Sequence, residues 1–457
     1  MAQKPSVPKG TRDFNPIEVH RRSYIMDTIK SVFESYGFQP IETPTFENLD
    51  TLLGKYGDEG DRLVFKILNN GDFLSPFRKS EVNPIESDLN DVTKQISKRG
   101  LRYDLTVPFA RYAVMHQSEF ALPFKRYQIQ PVWRADRPQK GRYQEFYQCD
   151  ADVIGSKSLI QEVDFIQIYD EVFDRLGLTT EIRINHRGLL TALAQLIEAP
   201  DKLIDLTVAL DKLDKIGRAG VVEEWASRGI STEAIEKLAP LFDTPNSFQD
   251  QLDMLEALLG GFPSGREALN ELRYIFERTN DLGLRRANLR WDVTLARGLN
   301  YYTGPIFEVV SSEVKLGSIG GGGRYDDLTS VFGGQELPGV GISFGLDRIY
   351  LVIEELDRFP KSVANETQLL FVNFGEAESN QCLKWARSLR EAGIRCEVYP
   401  ESAKMKKQMS YADRKAIPFV ALVGNNEIES GQITVKNMSD GEQTSYSLSS
   451  LTEKLKG

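Results

Sequence analysis

Cysteine and histidine are scarce in this sequence of 457 residues, with three of each. Cys149, Cys382 and Cys396 contain no close CxxC pair, and His20, His116 and His186 lie far apart, so neither a disulfide framework nor a metal-site spacing is present. A reduced, cytoplasmic protein is the default reading. No window approaches eighteen apolar residues, and residues 1–10 hold no apolar core of a signal peptide, which speaks against secretion and membrane insertion. An excess of positive charge is missing too. With 56 Lys and Arg against 66 Asp and Glu, the net charge of -10 argues against nonspecific coating of nucleic acid. It leaves room for local basic patches. Internal repeats and low-complexity tracts are absent.

What remains is an ordinary globular composition, 41% hydrophobic and 27% charged, with length for two to four domains. Residues His20 to Tyr36 carry an apolar stripe at helical spacing that stops at Gly37. Phe38 to Phe46 is extended, and Pro40 and Pro44 place it at a sheet edge or an interface. Ile160 to Leu176 predicts a second helix, Thr180 to Asn185 a strand, and about 186–283 a helical insertion broken by prolines. Strand character returns at Leu289 to Arg297 and Pro305 to Ser311. Beyond the polar stretch Lys361 to Thr367, three short apolar strands (Gln368 to Phe374, Ile394 to Tyr399, Pro418 to Val423) alternate with helices at Ala377 to Ala392 and Ser402 to Ala416. The expected division is 1–365 and 366–457, the second part a small α/β domain.

The richest segment is Pro131 to Asp152, two strands joined by a basic loop. Arg126, Gln128, Gln130 and Arg134 alternate with apolar residues on the first strand, and Phe146, Gln148, Asp150 and Asp152 do so on the second. Burying such a face dry is costly, so it is expected to line a wet cavity whose ligand carries both signs of charge. The alternative is a plain hairpin with a solvated face. Its connection holds Arg137, Lys140 and Arg142 against Asp136, a composition suited to phosphate. Leu295 to Gly304 puts Arg297 ahead of Tyr301 and Tyr302, read either as a site loop or as a surface cation stacking on a ring. Gly317 to Asp327 contains four consecutive glycines, which fit a close approach to ligand or strand, or a flexible linker. Gly339 to Phe344 reads as a strand that turns at Gly345 into a helix with Arg348 in its first turn. A cation there opposes the helix dipole and calls for an anion. Leu101 to Arg111 places Asp104 and Thr106 on one face of an extended segment ahead of Pro108.

Together these segments resemble class II aminoacyl-tRNA synthetases, and within them the histidyl-tRNA synthetase family. Lys9 to Phe14 (KGTRDF) looks like the N-terminal signature, the segment around Pro44 like motif 1, the hairpin with Arg134 like motif 2, and GISFGLDR like motif 3. LARGLNYYTG and GGGRYDD resemble the two histidine-specific motifs. Two departures stand out: Asp136 where motif 2 commonly has glutamate, and Asn300 where the first histidine motif usually has aspartate. The shorter Asp136 bears on the adenine contact.

The resemblance implies an α+β catalytic domain, an antiparallel sheet flanked by helices, with a helical insertion and a C-terminal α/β anticodon-binding domain. It implies ATP-dependent ligation of L-histidine to tRNA(His), with Mg²⁺ on the outer phosphates, in a homodimer joined through motif 1, with no membrane or DNA partner. Asp104, Thr106 and Gln148 would hold the α-ammonium, Asp152 and Tyr302 the imidazole, with Tyr301 and Tyr325 as walls. Arg134, Arg142 and Arg348 would face the ATP phosphates, Phe146 would stack on adenine, and Arg297 would touch both the histidine carboxylate and the α-phosphate. Arg297, Arg134 and Arg348 are thus the expected catalytic residues. Arg137, Lys140, Lys406, Lys407 and Arg414 are the candidate tRNA contacts. A noncatalytic histidine- or tRNA-sensing relative is the rival reading, and such relatives typically lose the motif arginines or the anticodon domain.

Overall fold

The computed structural model describes residues 4–53, 61–78, 86, 88–243, 245, 247–295, 302–334, 336–360, 363 and 367–456. The chain divides into two compact units, Met1–Arg358 and Phe359–Gly457.

In the first unit the strands are β1 (Gln39–Pro40), β2 (Phe46–Asn48), β3 (Lys66–Ile67), β4 (Arg99–Leu101), β5 (Phe124–Trp133), β6 (Glu145–Ile154), β7 (Thr180–His186), β8 (Asn288–Trp291), β9 (Pro305–Ser311), β10 (Ser318–Arg324) and β11 (Gly339–Gly345). Eight of them form the main sheet in the order β1-β5-β6-β11-β10-β9-β7-β8, while β2-β4-β3 make a small sheet beside it. The centre is antiparallel, and a parallel pair closes each edge, β1 with β5 and β7 with β8. The short β1 sits at the edge with both residues exposed, as Pro40 suggests.

Helix α1 (Pro16–Ser35) starts four residues before the apolar stripe that predicted it. Asn15 accepts from Glu18 N at 3.0 Å, the Glu18 carboxylate accepts from Asn15 N at 2.7 Å, and Pro16 occupies the first helical position. Ile25, Ile29, Val32 and Phe33 form its buried stripe. With α3 (Ile160–Arg175), it covers the apolar face of the sheet, where Phe33 and Tyr169 meet Phe344 of β11. Helix α2 (Thr106–Met115) comes between α1 and α3 in the chain, and α4 (Leu346–Glu355) follows β11 directly.

The glycine run is neither linker nor loop but the central strand β10. A Cβ on Gly322 would overlap the backbone oxygen of Gly341 in the neighbouring strand, so close strand approach selects the glycine there. The described residues between 187 and 282 form helices joined by turns, with Trp225 fully buried and its indole N–H donating to Leu206 O at 3.1 Å. Their last helix, Pro263–Leu282, also packs against α3 and β7, so this segment shares the main core. The strand expected over Leu289 to Arg297 stops at Trp291, because Asp292 turns the chain by accepting from Thr294 N at 2.9 Å. Arg297 and Tyr301 lie outside the described residues.

The second unit has a mixed sheet in the order β13-β12-β14-β15-β16. Its strands are β12 (Leu369–Phe371), β13 (Cys396–Val398), β14 (Phe419–Leu422), β15 (Ile433–Asn437) and β16 (Gln443–Tyr446). The first three are parallel, connected by α5 (Glu376–Glu391) and α6 (Met405–Arg414), and a C-terminal helix α7 (Leu448–Lys456) follows the β15–β16 hairpin. Separate apolar clusters, one around Trp385 and Leu451 and one around Tyr399 and Ile417, give this unit its own core. Among the described residues, no helix is long and apolar enough to cross a membrane.

Candidate active site

Strand register builds the floor of the site. On the β5–β6 hairpin Arg126 lies opposite Asp152, Gln128 opposite Asp150 and Gln130 opposite Gln148. Period-two alternation puts all six on one face, and β11 adds Gly341, Ser343 and Gly345 beside them. The sequence reading expected this face to be wet, but its lower half is dry. Arg126 is 0% exposed and Asp152 2%, and the two form an ion pair at 2.6 Å. Tyr325 donates its hydroxyl to Asp152 Oδ1 at 2.5 Å. Such a buried pair needs further hydrogen bonds to offset its desolvation, and the tyrosine supplies one to Asp152, while Arg126 Nε has no hydrogen-bond partner among the described residues. Burial raises the Asp152 carboxyl while Arg126 and Tyr325 oppose the rise. Burial, and then the Asp152 charge, hold the Tyr325 phenol well above its usual range, so it remains a donor. Gly341 is required beneath this carboxylate, since a Cβ there would overlap Asp152 Oδ1.

The segment Leu101 to Arg111 is not extended as expected. It leaves β4 at Leu101 and enters α2 at Thr106, with Pro108 in the first turn, where no intrahelical partner for an N–H is needed. Buried Asp104 accepts from Val107 N at 3.1 Å, which steadies the helix start. An inner cavity is lined by Asp104, Thr106, Gln148, Asp152, Tyr302 and Tyr325 together with Arg134, Asp150 and Ser343. Asp150 and Arg126 were not among the candidate site residues, although the alternation of the hairpin already placed them on this face.

Arg134, Gln148, Tyr302 and Ser343 also line a larger outer cavity of about 340 Å³, within the usual range for small-molecule sites. Its wall carries three arginines, Arg134, Arg142 and Arg348, beside Phe146. Arg134 donates to Tyr103 O at 3.1 Å and to Gln148 Oε1 at 3.2 Å, and its guanidinium lies 5.2 Å from the Phe146 ring centre. Arg348 donates from Nε to Gly141 O at 3.1 Å and from Nη1 to Ser318 O at 2.6 Å. Burial lowers its pKa, and the charges of Arg142 and Arg134 lower it further. Among the described residues, neither Arg134 nor Arg348 forms an ion pair with a carboxylate. Clustered, partly buried and uncompensated guanidinium groups make a site for a polyanion.

Asp347, next to Arg348, was missed by the sequence reading. It is buried in the first turn of α4, accepts from both Arg12 and Arg22 at 2.5 Å, and takes Tyr147 N at 3.3 Å. Arg12 stacks on the Tyr143 ring at 3.7 Å, and Gly10 O accepts from Gln144 N at 2.8 Å. The KGTRDF segment therefore fastens the loop of the hairpin to α4. Asp347 lies more than 300 residues from Arg12 and Arg22, beyond any local pattern.

The remaining candidates are dispersed. Arg137 and Lys140 are exposed, and Lys140 pairs with Glu355 at 3.1 Å rather than lining either cavity. Asp136 lines the outer cavity, 3.8 Å from Arg142. Lys406, Lys407 and Arg414 are exposed on α6 of the second unit, with Lys407 3.6 Å from Glu401. No group of three or more His, Cys, Asp or Glu suited to a metal occurs among the described residues.

A family model described as "Histidyl-tRNA synthetase" matches residues 10–76 and 83–349, and one described as "Anticodon binding domain" matches residues 368–457. Histidine–tRNA ligases of Christiangramia forsetii and Flavobacterium johnsoniae are 57% and 55% identical to this chain, each over the full length of both proteins. A crystal structure of histidyl-tRNA synthetase from Nostoc sp. PCC 7120 superposes with a TM-score of 0.84 at 30% identity, covering 100% of this chain and 99% of that one. With its arginine-walled cavity opening onto a carboxylate-lined one, and with matches across both units, this chain belongs to the histidyl-tRNA synthetase family.

Proposed function

We propose that the chain ligates L-histidine to tRNA(His) in two steps, with ATP in the outer cavity and histidine in the inner one. The observation that carries this reading is the contiguity of the two cavities, one walled by three arginines, of which Arg134 and Arg348 have no carboxylate partner among the described residues, and the other lined by buried carboxylates. The histidine carboxylate, already ionised, attacks the α-phosphorus and displaces diphosphate. A terminal ribose hydroxyl of the tRNA then attacks the adenylate and releases AMP. Neither step needs a protein nucleophile. Catalysis is positioning plus stabilisation of charge that develops on the phosphoryl oxygens.

Asp104, Thr106 and Gln148 hold the α-ammonium in this reading. Asp152 accepts from the imidazole N–H, and Tyr302 meets the other nitrogen, a pairing an apolar pocket would not supply. Tyr325 keeps Asp152 in place. Arg134, Arg142 and Arg348 take the phosphates, and Phe146 offers a face to adenine. Arg297 and Tyr301 keep the roles the family resemblance gives them. Glu308 and Asp136 line the outer cavity and suit a Mg²⁺ carried in on the phosphates, a cation that takes only one or two carboxylates there and neutralises phosphate charge. Arg137, Lys140, Lys406, Lys407 and Arg414 contact tRNA, the last three within the anticodon-binding domain. The protein works as a homodimer joined through the exposed edge around β1, in the cytoplasm, where its three free, buried cysteines fit a reducing compartment.

Two substitutions separate the subsites. Asp152→Asn should raise the KM for histidine at least tenfold and leave that for ATP within about twofold, whereas Phe146→Ala should do the reverse. Equal effects of either variant on both substrates would refute the assignment of the two cavities.

A further inference from the structure

The inner cavity contains more acid than base. Asp104, Asp150 and Asp152 all bear on it, at 1%, 2% and 2% exposure, and Arg126 beneath them supplies fully buried positive charge. The carboxylates are not equivalent. Asp152 has Arg126 and Tyr325, and Asp104 has the N–H of Val107. Asp150 has only neutral donors, Gln148 Nε2 at 3.3 and 3.5 Å and the hydroxyl of Ser343, and among the described residues it forms no ion pair. Its place in the register, between Gln128 of β5 and Ser343 of β11, directs it into the cavity.

The groups around Asp150 are Arg126 and Gln128 from β5, Arg134 just beyond it, Gln148, Cys149 and Asp152 from β6, and Ser343 from β11. Tyr169 reaches toward it from α3, Asp104 from the turn before α2, and Tyr302 from the far cavity wall. Two guanidinium groups, Arg126 beneath the floor and Arg134 on the cavity wall, cannot neutralise three carboxylates. Burial accordingly pushes the Asp150 carboxyl up to about 7, with Arg126 opposing and Asp152 and Asp104 reinforcing the rise.

We propose that Asp150 is a further histidine-binding residue, protonated in the empty cavity, which releases its proton to solvent when the α-ammonium of the amino acid enters and pairs with the carboxylate. The step conserves charge: a carboxyl O–H becomes a carboxylate and a hydrated proton, and the ammonium supplies the counter-charge. It rests on reading the inner cavity as the histidine pocket. Histidine affinity then carries a pH dependence that belongs to the protein rather than to the ligand ring.

The test is calorimetric titration of the full-length protein with L-histidine at pH 7.2 in PIPES, HEPES and Tris, whose ionisation enthalpies differ. The parent should release on the order of half a proton per site, because a carboxyl near 7 is roughly half protonated there. Asp150→Asn should abolish that release and weaken histidine roughly tenfold, with ATP affinity and melting temperature retained. Ser343→Ala removes a donor that favours the ionised carboxyl, so it should increase the release. Unchanged proton release in Asp150→Asn, or none in a histidine-binding parent, overturns the role of Asp150. A parent that fails to bind histidine overturns the reading of the cavity, and this proposal with it.

Discussion

Arg348→Ala should separate catalysis from stability. The guanidinium is held by two carbonyls, Gly141 O and Ser318 O, with Arg134 and Arg142 nearby and no carboxylate paired with it among the described residues. Removing one such preorganised donor from a phosphoryl-transfer site costs on the order of 10² to 10³ in rate, or about 3 to 4 kcal/mol. The folded state should scarcely notice. Two hydrogen bonds worth about 1 kcal/mol each are lost, but both carbonyls border a cavity that water can enter, and a desolvated cation repelled by two others is removed. A net change within ~1 kcal/mol corresponds to roughly 1 to 2 °C in Tm for a unit of this size. Arg348→Lys keeps the charge but cannot span both carbonyls as a fork, so it should be intermediate, about tenfold slow. The assay is exchange of labelled diphosphate into ATP at saturating histidine, alongside thermal melting. Exchange within about threefold of the parent, below ~1 kcal/mol, would refute the role given to Arg348. So would a loss of activity that merely tracks a loss of fold.

Ending the chain near residue 366 should spare adenylate formation and depress tRNA charging severely, because the second unit has its own core and the basic helix α6; undiminished charging by the folded truncation would contradict that assignment. Sedimentation should give a dimer, and Pro40→Asp at the exposed sheet edge should shift it toward monomer; a fully active monomeric parent would remove the interface proposal.

Much of the site was legible because β5 and β6 obey strict alternation. Residues from Arg126 to Arg134 and from Phe146 to Asp152 show their polar face in the sequence, and the register then pairs them. The dryness of its floor was not legible. It depends on Tyr325 closing over Asp152, two residues 173 positions apart. Four glycines carry no side-chain alternation, so β10 was invisible as a strand. What selects glycine at Gly322 is the backbone of Gly341, a tertiary neighbour. At the start of α1, the Asn15 and Glu18 pair and Pro16 were a readable local signal that the apolar stripe alone overlooked. The hairpin β15–β16 escaped because Gln443–Tyr446 is polar and mostly exposed, a strand defined by its partner rather than by its own pattern. The ties from Arg12 and Arg22 to Asp347 cross most of the first unit and leave no local trace.

The most direct measurement is amino-acid-dependent exchange of labelled diphosphate into ATP, run with each of the standard amino acids and followed by transfer to purified tRNA. The buried Asp152, held by Arg126 and Tyr325, should admit only a side chain that can donate to it while meeting Tyr302. The expected result is rapid exchange with L-histidine alone and charging of tRNA(His). Comparable exchange with another amino acid, or none with histidine by a folded protein, would contradict the account.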